Sequence, residues 1–233
     1  MVKIAYLTID DAPSSDFKRK VDYLYKQKIP AIFFCIGKLL DKRPKDIIYA
    51  IKKGFIIGNH SYDHPYFSFI TLKKAYEQIR KTDDLIEDLY KKAGKKRPIK
   101  VFRFPFLRKG GLNRRAIQEV LKKLGYIQPK FDNINYKWYK RKGFLKDIDV
   151  YPSYDTMDWT TIEKRPIFGV RGLQEVLARI DEDVPEGCRG INYKDSNDII
   201  MMHDYNNPKH TKMFIPMIEK LKSKVKFKMP EIK

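Results

Sequence analysis

Short, almost continuously apolar segments alternate with amphipathic segments along the whole chain. The apolar segments cover 2–9, 31–36, 55–57, 101–106 and 199–202. Strands that are covered on both faces have this composition, as the parallel strands of α/β proteins do. Apolar residues recurring every three or four positions predict helices near 17–24, 71–93, 113–124, 172–180 and 213–225. The alternation predicts an α/β protein with a parallel sheet, open or closed into a barrel.

Length and composition predict a globular chain with one core. The 233 residues are 42% hydrophobic and 13% aromatic, too apolar for a disordered chain. Two cysteines, Cys35 and Cys188, exclude a disulfide framework and a Cys-rich zinc site. Cys35 lies in an apolar run and is expected to be a core residue.

The N-terminal residues lack the basic region, apolar stretch and small-residue cleavage site of a secretory leader. No apolar run approaches the roughly 20 residues needed to span a bilayer. These features predict a cytoplasmic protein as the chain stands. A leader removed before Met1 would instead make it secreted or envelope-associated.

The chain is strongly basic, with 49 Lys+Arg against 29 Asp+Glu and a net charge of +20. Such a charge attracts phosphate-bearing and other anionic partners. The same excess also occurs in chains whose lysines only solvate the surface, so the charge alone selects no function.

Two polar segments interrupt the alternation of strands and helices. The segment 129–152 is aromatic and basic, and 181–195 contains Gly and Pro. Both are predicted to be long loops, which in a barrel tend to carry substrate contacts.

Residues suited to metal binding follow two of the apolar segments. Asp10 and Asp11 end the first, and strand alternation predicts that they point apart and serve two roles. His60 and His64 follow 55–57 with a spacing of four. With Asp11 they would make a two-His, one-carboxylate set with open positions for water and substrate. Taken alone, each motif also fits a solvated turn.

Three further motifs carry acid–base groups. Arg103 lies within an apolar run, and a buried arginine is rare without an anionic partner. Asp158 precedes Trp159, and His203 ends the apolar run at 199–202. Alternatives at this point are an arginine on an edge strand and a hydrogen-bonded core histidine.

Together the motifs follow the order T-x-D-D, H-S-x-x-H, R-x-P-F, D-x-x-D-W and M-x-H-D, from Thr8 to Asp204. This order resembles the polysaccharide deacetylase family, the NodB-homology or carbohydrate esterase 4 group. The resemblance implies a distorted (β/α) barrel, usually of seven parallel strands, forming one catalytic domain over residues 1–233. It also implies a metal-dependent hydrolase that removes N-acetyl groups from amino sugars of a polysaccharide, oligosaccharide or glycoconjugate.

The resemblance also implies a role for each acid–base group. Asp10 would be the catalytic base that takes a proton from water, and Arg103 would orient Asp10. His203 would be the acid that protonates the departing amine, and Asp158 would pair with His203 and raise its pKa.

A divalent metal is implied as well, Zn²⁺ first, with Co²⁺, Ni²⁺ or Mn²⁺ as alternatives. Its ligands would be Asp11, His60 and His64. The backbone N–H of Phe106 would stabilise the oxyanion, and Trp159 and Met201 would wall the acetyl pocket.

Three positions depart from the family pattern, and none removes a ligand, acid or base. Ala12 stands where Gly is usual, Phe106 where Tyr is usual, and Met201 where Leu is usual. The Leu-to-Met exchange nearly conserves volume, so the departures bear on the substrate rather than on the chemistry.

Two other functions stay open. The first is a non-catalytic carbohydrate- or nucleic-acid-binding protein, suggested by the charge of +20 and the aromatic-basic run at 138–142. A complete acid, base and metal set argues against it and against nucleic acid as the partner. The second keeps the hydrolase chemistry but acts on an O-acetyl ester or a cyclic amide.

The acidic site leaves the surplus positive charge outside it. We therefore expect a basic surface beside the pocket that docks an N-acetylated glycan or amino-sugar conjugate, anionic or phosphate-linked. Lys140, Arg141 and Lys142 are the predicted contacts.

Overall fold

Six strands form the central sheet. The computed structural model describes residues 2–162 and 168–232. Its strands are β1 (Ile4–Ala12), β2 (Ala31–Cys35), β3 (Ile56–Asn59), β4 (Tyr154–Asp155), β5 (Asp198–His203) and β6 (Lys226–Phe227). Neighbours follow the order β3–β2–β1–β5–β4, and β6 pairs with the start of β1. Every pair is parallel, which confirms the predicted parallel sheet.

Backbone hydrogen bonds continue the sheet from β3 round to β4. Arg103 N donates to Asn59 O of β3 at 3.1 Å, and Val150 N donates to Phe102 O at 2.8 Å, four residues before β4. The described strands therefore enclose an interior, as in a barrel. The predicted strand at 101–106 is reduced to one parallel bridge between Phe102 and Asn59, so the described residues contain six strands rather than the usual seven.

Eight α-helices are found among the described residues. They are α1 (Phe17–Lys26), α2 (Gly37–Lys42), α3 (Pro44–Lys52), α4 (Leu72–Lys92), α5 (Arg114–Lys123), α6 (Lys137–Arg141), α7 (Leu173–Asp181) and α8 (Pro208–Lys222). Short 3₁₀ turns cover Phe67–Phe69, Pro105–Leu107, Gly111–Asn113, Asp158–Ile162 and Pro185–Gly187. All five predicted helices are present; α2, α3 and α6 are additional. The longest, α4, begins where Thr71 Oγ1 accepts a hydrogen bond from Lys74 N at 3.2 Å.

Alternate side chains of β1 meet different surroundings. Leu7 and Ile9 join the larger hydrophobic cluster, which includes residues of the surrounding helices. Tyr6 joins a second cluster with interior residues of other strands, and Thr8 and Asp10 follow on the same face. The interior thus changes from aromatic to polar toward the carboxyl end of the strand.

The end of β1 departs from regular strand geometry. Its register with β2 shifts between Ile9 and Ala12, and Asp11 has a φ of 63°. As a result, Asp10 and Asp11 line the same cavity. The prediction that strand alternation would point them apart is therefore wrong, because the irregularity turns Asp11 to the same side.

The part of the segment 129–152 around Tyr136 and α6 packs at the amino ends of the strands. Tyr136 Oη donates to Asp198 Oδ1 at 2.9 Å, at the first residue of β5. Lys3, just before β1, donates to Tyr136 Oη at 3.2 Å. The prediction that Lys140, Arg141 and Lys142 form a basic surface beside the site is therefore wrong, because α6 lies at this edge whereas Asp10 and Asp11 lie at the carboxyl ends of the strands.

A buried ion pair ties α1 to the ends of β1 and β5. Lys20 of α1 is buried, and its Nζ lies 2.5 Å from Asp204 Oδ1. Asp204 follows β5 directly; its Oδ2 accepts a hydrogen bond from Ser14 N at 2.7 Å, and its N donates to Asp10 O at 2.8 Å. These contacts fix the position of His203 relative to Asp10.

We expect Lys20→Met to lower the free energy of unfolding by roughly 3 kcal/mol, because it leaves the buried Asp204 carboxylate without its cation. Urea unfolding measures the change. The matched control is Lys26→Met on the exposed face of the same helix, expected to stay within about 0.5 kcal/mol of the unsubstituted chain. Equal stability of both variants would show that the buried pair contributes nothing.

Candidate active site

The carboxyl ends of β1, β3 and β5 surround a cavity of about 440 Å³. The predicted site residues that line it are Asp10, Asp11, His60, His64, Phe106, Trp159, Met201 and His203. The other two, Arg103 and Asp158, are fully buried and each contacts a residue of the lining. Since the carboxyl ends of neighbouring parallel strands share one edge, motifs distant in sequence converge here.

Arg103 holds the side chain of Asp10 in place. Its Nη1 donates to Asp10 Oδ1 at 2.8 Å and to Thr8 Oγ1 at 2.7 Å. Its Nε donates to Val150 O at 2.9 Å. The predicted anionic partner of the buried arginine is therefore present, and Asp10 Oδ2 is left directed toward His60, 3.9 Å from its Nε2.

Two histidines and one carboxylate lie together beside Asp10. Asp11 Oδ1 is 3.4 Å from His60 Nε2 and 3.1 Å from His64 Nε2. One ligand atom from each of the three residues lies within 4.8 Å of the others. His60 directly follows β3, and Ser61 Oγ accepts a hydrogen bond from His64 N at 3.2 Å, which holds the turn between the two rings.

The protonation of His60 and Asp11 suits metal binding. His60 Nδ1 is 2.9 Å from Arg103 O, so Nδ1 carries the proton and donates it to this carbonyl oxygen. The unprotonated Nε2 is then available to bind a metal ion. Burial lowers the pKa of His60 to about 4, despite the attraction of Asp10. Burial would raise the pKa of Asp11, but the imidazoles of His64 and His60 beside it lower that pKa well below the usual range.

The three residues fit a divalent cation. Asp11 Oδ1 is buried, and no described group donates a well-formed hydrogen bond to it. Buried carboxylate oxygens are normally satisfied by a donor or a cation. Two imidazole nitrogens and a carboxylate oxygen are ligands that Zn²⁺ and similar ions accept, with positions left for water and substrate.

A second acid–base pair lies on β5. His203 Nδ1 is 2.7 Å from Asp158 Oδ1, and His203 N donates to Asp158 Oδ2 at 2.8 Å. Burial opposes the charged form of His203, but the attraction of Asp158 outweighs it and raises the pKa of His203 to about 10. Burial likewise opposes ionisation of Asp158, yet its contacts with His203 and His210 hold its pKa well below the usual range.

His210 is a functional candidate that sequence reasoning missed. It lies on α8, is fully buried, and its Nε2 is 2.9 Å from Asp158 Oδ2. Thr156 Oγ1 donates to Asp158 Oδ1 at 3.0 Å. These contacts hold the carboxylate in one orientation toward His203. In the sequence, His210 has the appearance of a helix residue without a motif, although it is one of only four histidines.

Tyr205 was also missed. Its ring lies parallel to that of His203, with centroids 5.1 Å apart and planes 4° apart, and edge-on to His210. It lines the cavity beside Asp11. Burial, reinforced by the charges of Asp11 and Asp158, raises the pKa of Tyr205 far above its ordinary value, so it stays neutral. It restricts the rotation of His203.

Asp155 orients the predicted wall of the acetyl pocket. Its Oδ2 accepts a hydrogen bond from Trp159 Nε1 at 3.2 Å, and its Oδ1 accepts one from Met157 N at 2.8 Å. Burial raises the pKa of Asp155, partly offset by His203. Trp159 and the buried Met201 supply part of the apolar lining of the cavity.

Backbone strain is concentrated around the cavity. Asp11, His64, Phe106 and Leu107 have φ values of 63°, 61°, 54° and 55°, and all four line it. Non-glycine residues in this conformation each cost about 1–3 kcal/mol and occur preferentially at functional sites.

Residues 2–128 match the sequence profile described as polysaccharide deacetylase, which is more than half of the chain. The chain therefore belongs to the polysaccharide deacetylase family, carbohydrate esterase family 4. The matched part contains Asp10, Asp11, His60, His64 and Arg103; it ends before Asp158 and His203.

The sequence alignments with curated relatives cover only part of this chain and part of each relative. A peptidoglycan-N-acetylmuramic acid deacetylase of Bacillus subtilis is 37% identical over 88 residues, which are 37% of this chain and 19% of that protein. The aligned region is therefore a small fraction of the relative. No helix within 2–162 and 168–232 combines the length and apolarity that crossing a membrane requires.

Solved structures share the fold over nearly the whole chain. A family 4 carbohydrate esterase from Streptomyces lividans, in complex with acetate, has a TM-score of 0.63 at 18% identity, covering 95% of this chain and 89% of that one. A protein of Bacillus anthracis described as a CE4 family pseudoenzyme has a TM-score of 0.64 at 21% identity, covering 97% and 63%. At these identities the likeness establishes the fold only.

In the metal-free protein, we expect one histidine to titrate near pH 10 by NMR and Asp158→Asn to return its pKa toward 6.5. The folded pKa is raised, so the stability from this pair is complete below pH 6.5 and is lost as pH rises through about 10. The exposed Asp63→Asn is the control and should leave the high pKa in place. A histidine near 10 in Asp158→Asn would contradict the assignment.

Proposed function

We propose that this chain is a metal-dependent hydrolase that removes N-acetyl groups from the amino sugars of a glycan, within one catalytic domain. The observation that supports this best is the convergence in one cavity of an ion-pair-held carboxylate, a two-His, one-carboxylate set and a charged histidine. Metal-assisted amide hydrolysis needs a base, a Lewis acid and an acid for the leaving group.

Asp11, His60 and His64 would hold the divalent ion, with Zn²⁺ preferred and Co²⁺, Ni²⁺ or Mn²⁺ as substitutes. When bound, such an ion supplies Lewis acidity that polarises an amide carbonyl and makes water a better nucleophile at neutral pH.

Asp10 acts as the base in this proposal. Arg103 Nη1 donates to its Oδ1 at 2.8 Å, which leaves Oδ2 to accept a proton from the attacking water. Because the guanidinium of Arg103 is itself held by Thr8 and Val150, Asp10 is oriented before substrate arrives.

His203 acts as the acid. Asp158 occupies its Nδ1, so Nε2 is the atom that can donate a proton to the departing amine. A pKa near 10 keeps the ring charged at neutral pH. The amine needs that proton because an amide anion is a very poor leaving group.

Three residues would bind the acetyl group. Trp159 and Met201 would enclose its methyl, and the backbone N–H of Phe106 would donate to the oxyanion. The left-handed φ of Phe106 gives its peptide a fixed orientation beside the cavity.

The proposed substrate is an N-acetylated glycan. The names of the relatives suggest peptidoglycan amino sugars, and a chitooligosaccharide deacetylase of Sinorhizobium fredii, 35% identical over 75 residues, suggests oligosaccharides. The cavity itself is rich in carboxylates, which does not favour nucleic acid as a partner.

We expect the purified chain to bind about one Zn²⁺ per molecule. Asp11→Ala or His64→Ala should reduce the bound zinc at least tenfold, because a three-ligand set loses one donor. Elemental analysis after dialysis gives the content without an activity assay. Asp63→Asn, exposed and between the two histidines, should bind zinc as the unsubstituted chain does; full zinc content in His64→Ala would refute the ligand set.

We expect Asp10→Asn and His203→Gln to lower kcat for acetate release from N-acetylglucosamine oligomers by roughly 10²–10⁴-fold. Zinc content should be retained, which separates lost acid–base chemistry from lost metal. The control is Asp22→Asn on the exposed side of α1. Normal turnover in either site variant would contradict its role, and chelator should abolish activity throughout.

A matched O-acetyl ester substrate separates the remaining possibilities. Release from the ester with none from the amide would make the chain an esterase. Glycan binding with acetate release from neither substrate would make it a binding protein on the same scaffold.

A further inference from the structure

The lysines that end several helices lie at the edge of the barrel opposite the catalytic cavity. α1 ends shortly before β2, α3 before β3 and α4 before the bridge at Phe102, so their last turns lie at the amino ends of the strands. After α5, Ile127 N donates to Lys100 O at 3.0 Å, which places the end of α5 at the same edge. The exposed lysines of these helix ends include Lys26, Lys28, Lys52, Lys96, Lys122 and Lys123.

Direct contacts show that these helix ends adjoin one another. Lys53 Nζ lies 4.1 Å from the centre of the Tyr25 ring. Lys222 Nζ, in the last turn of α8, donates to Gln27 Oε1 at 2.8 Å. α6 lies at the same edge and adds the exposed side chains of Lys137, Arg141 and Lys142. We call these three residues and the six lysines of the helix ends the basic face.

The six lysines of the helix ends keep their charge uncompensated. Within residues 2–162 and 168–232, none of the six forms an ion pair with a carboxylate. Asp132 and Glu231 lie at the same edge, but both contact Lys130, at 3.8 Å and 2.9 Å. The basic face therefore carries a local positive charge that attracts an anionic partner.

The stability of the helices does not account for the basic face. Cations in the last turn and carboxylates in the first turn both stabilise a helix through its dipole. α1, α4 and α5 have basic last turns but no carboxylate in the first turn. Lys28 and Lys96 lie beyond the helix ends, where the effect of the dipole falls off. This one-sided distribution indicates a partner at the amino edge.

Apolar side chains are exposed among these cations. Val2, just before β1, is 71% exposed, Tyr25 is 51% exposed and Ile127 is 42% exposed. A nucleic acid backbone is bound mainly through charge and hydrogen bonds, and it offers little to exposed aliphatic side chains. A phospholipid bilayer instead accepts apolar side chains at the boundary between its headgroups and acyl chains.

We propose that the basic face docks the protein on a bilayer that contains anionic phospholipid. The lysines are attracted by the negative surface potential of such a bilayer, and Val2, Tyr25 and Ile127 enter its headgroup region. In this orientation the catalytic cavity, at the carboxyl ends of the strands, opens away from the bilayer. The inference concerns binding alone and goes beyond the proposed function, so it stands or falls independently of acetate release.

The test is sedimentation of the full chain with vesicles of phosphatidylcholine alone and with vesicles of phosphatidylcholine and phosphatidylglycerol at about 2:1. We expect binding only to the vesicles that contain phosphatidylglycerol, and release when salt is raised from about 0.1 M to about 0.5 M, because salt screens the attraction. Equal binding to both kinds of vesicle, or binding to neither, would overturn the proposal.

Two variants of equal net charge test where the bilayer binds. The first carries Gln in place of four lysines of the basic face, Lys26, Lys28, Lys122 and Lys123. It should need roughly tenfold more phosphatidylglycerol-containing lipid for half-maximal binding. The second carries Gln in place of four exposed lysines of α2 and the first turn of α4, at the cavity edge: Lys38, Lys42, Lys73 and Lys74. It should bind as the unsubstituted chain does, and equal weakening of both variants would refute docking through the basic face.

A second pair of variants separates a bilayer from a nucleic acid. Ile127→Ser should weaken vesicle binding roughly threefold or more, because an apolar side chain no longer enters the bilayer. The control is Leu112→Ser, an exposed leucine in the turn before α5, which should leave vesicle binding unchanged. Tighter binding to a DNA duplex than to the vesicles, with no effect of Ile127→Ser on either, would overturn the bilayer as the partner.

Discussion

The buried guanidinium of Arg103 is the constraint on which the rest of the site depends. A cation without access to water is costly unless charged and polar partners surround it. Arg103 has such partners at two of its nitrogens: Nη1 donates to Asp10 and Thr8, and Nε donates to Val150, in a separate part of the barrel. Its own carbonyl oxygen contacts His60 Nδ1. Arg103 thus positions Asp10, the proposed base. Its carbonyl oxygen fixes which nitrogen of His60 is available to bind a metal, and its Nε holds the backbone of Val150 in the interior.

The charged groups of the cavity differ in sign from the net charge of the chain. The chain carries a net +20, but the cavity concentrates carboxylates whose partners are the buried Arg103 and the histidines. His203 is charged because Asp158 compensates its burial, and His210 satisfies the second oxygen of that carboxylate. Surface lysines contribute solubility and long-range attraction, whereas the reactivity of the cavity depends on a few buried pairs.

Much of the fold and site follows from the sequence pattern. The periodicity predicted five helices and the parallel sheet, since hydrophobic spacing reflects local geometry. The ten site residues were predicted from motif order, and eight line the cavity while two lie behind it. Sequence reasoning failed where packing overrides local rules. A register shift at the end of β1 turns Asp11 toward the cavity, and the basic helix α6 packs at the amino ends of the strands. His210 and Tyr205 were missed because neither belongs to a motif.

The sequence by itself determined the class of fold, the family and the identities of the chemical groups. These depend on residue types and spacings, which are properties of the chain alone. Only the tertiary structure decided which side of each motif faces the cavity, which nitrogen of His60 is free, and that His210 and Tyr205 lie beside Asp158 and His203. Such relations join residues far apart in the chain, and they arise only when strand ends and turns are brought to one edge of the sheet.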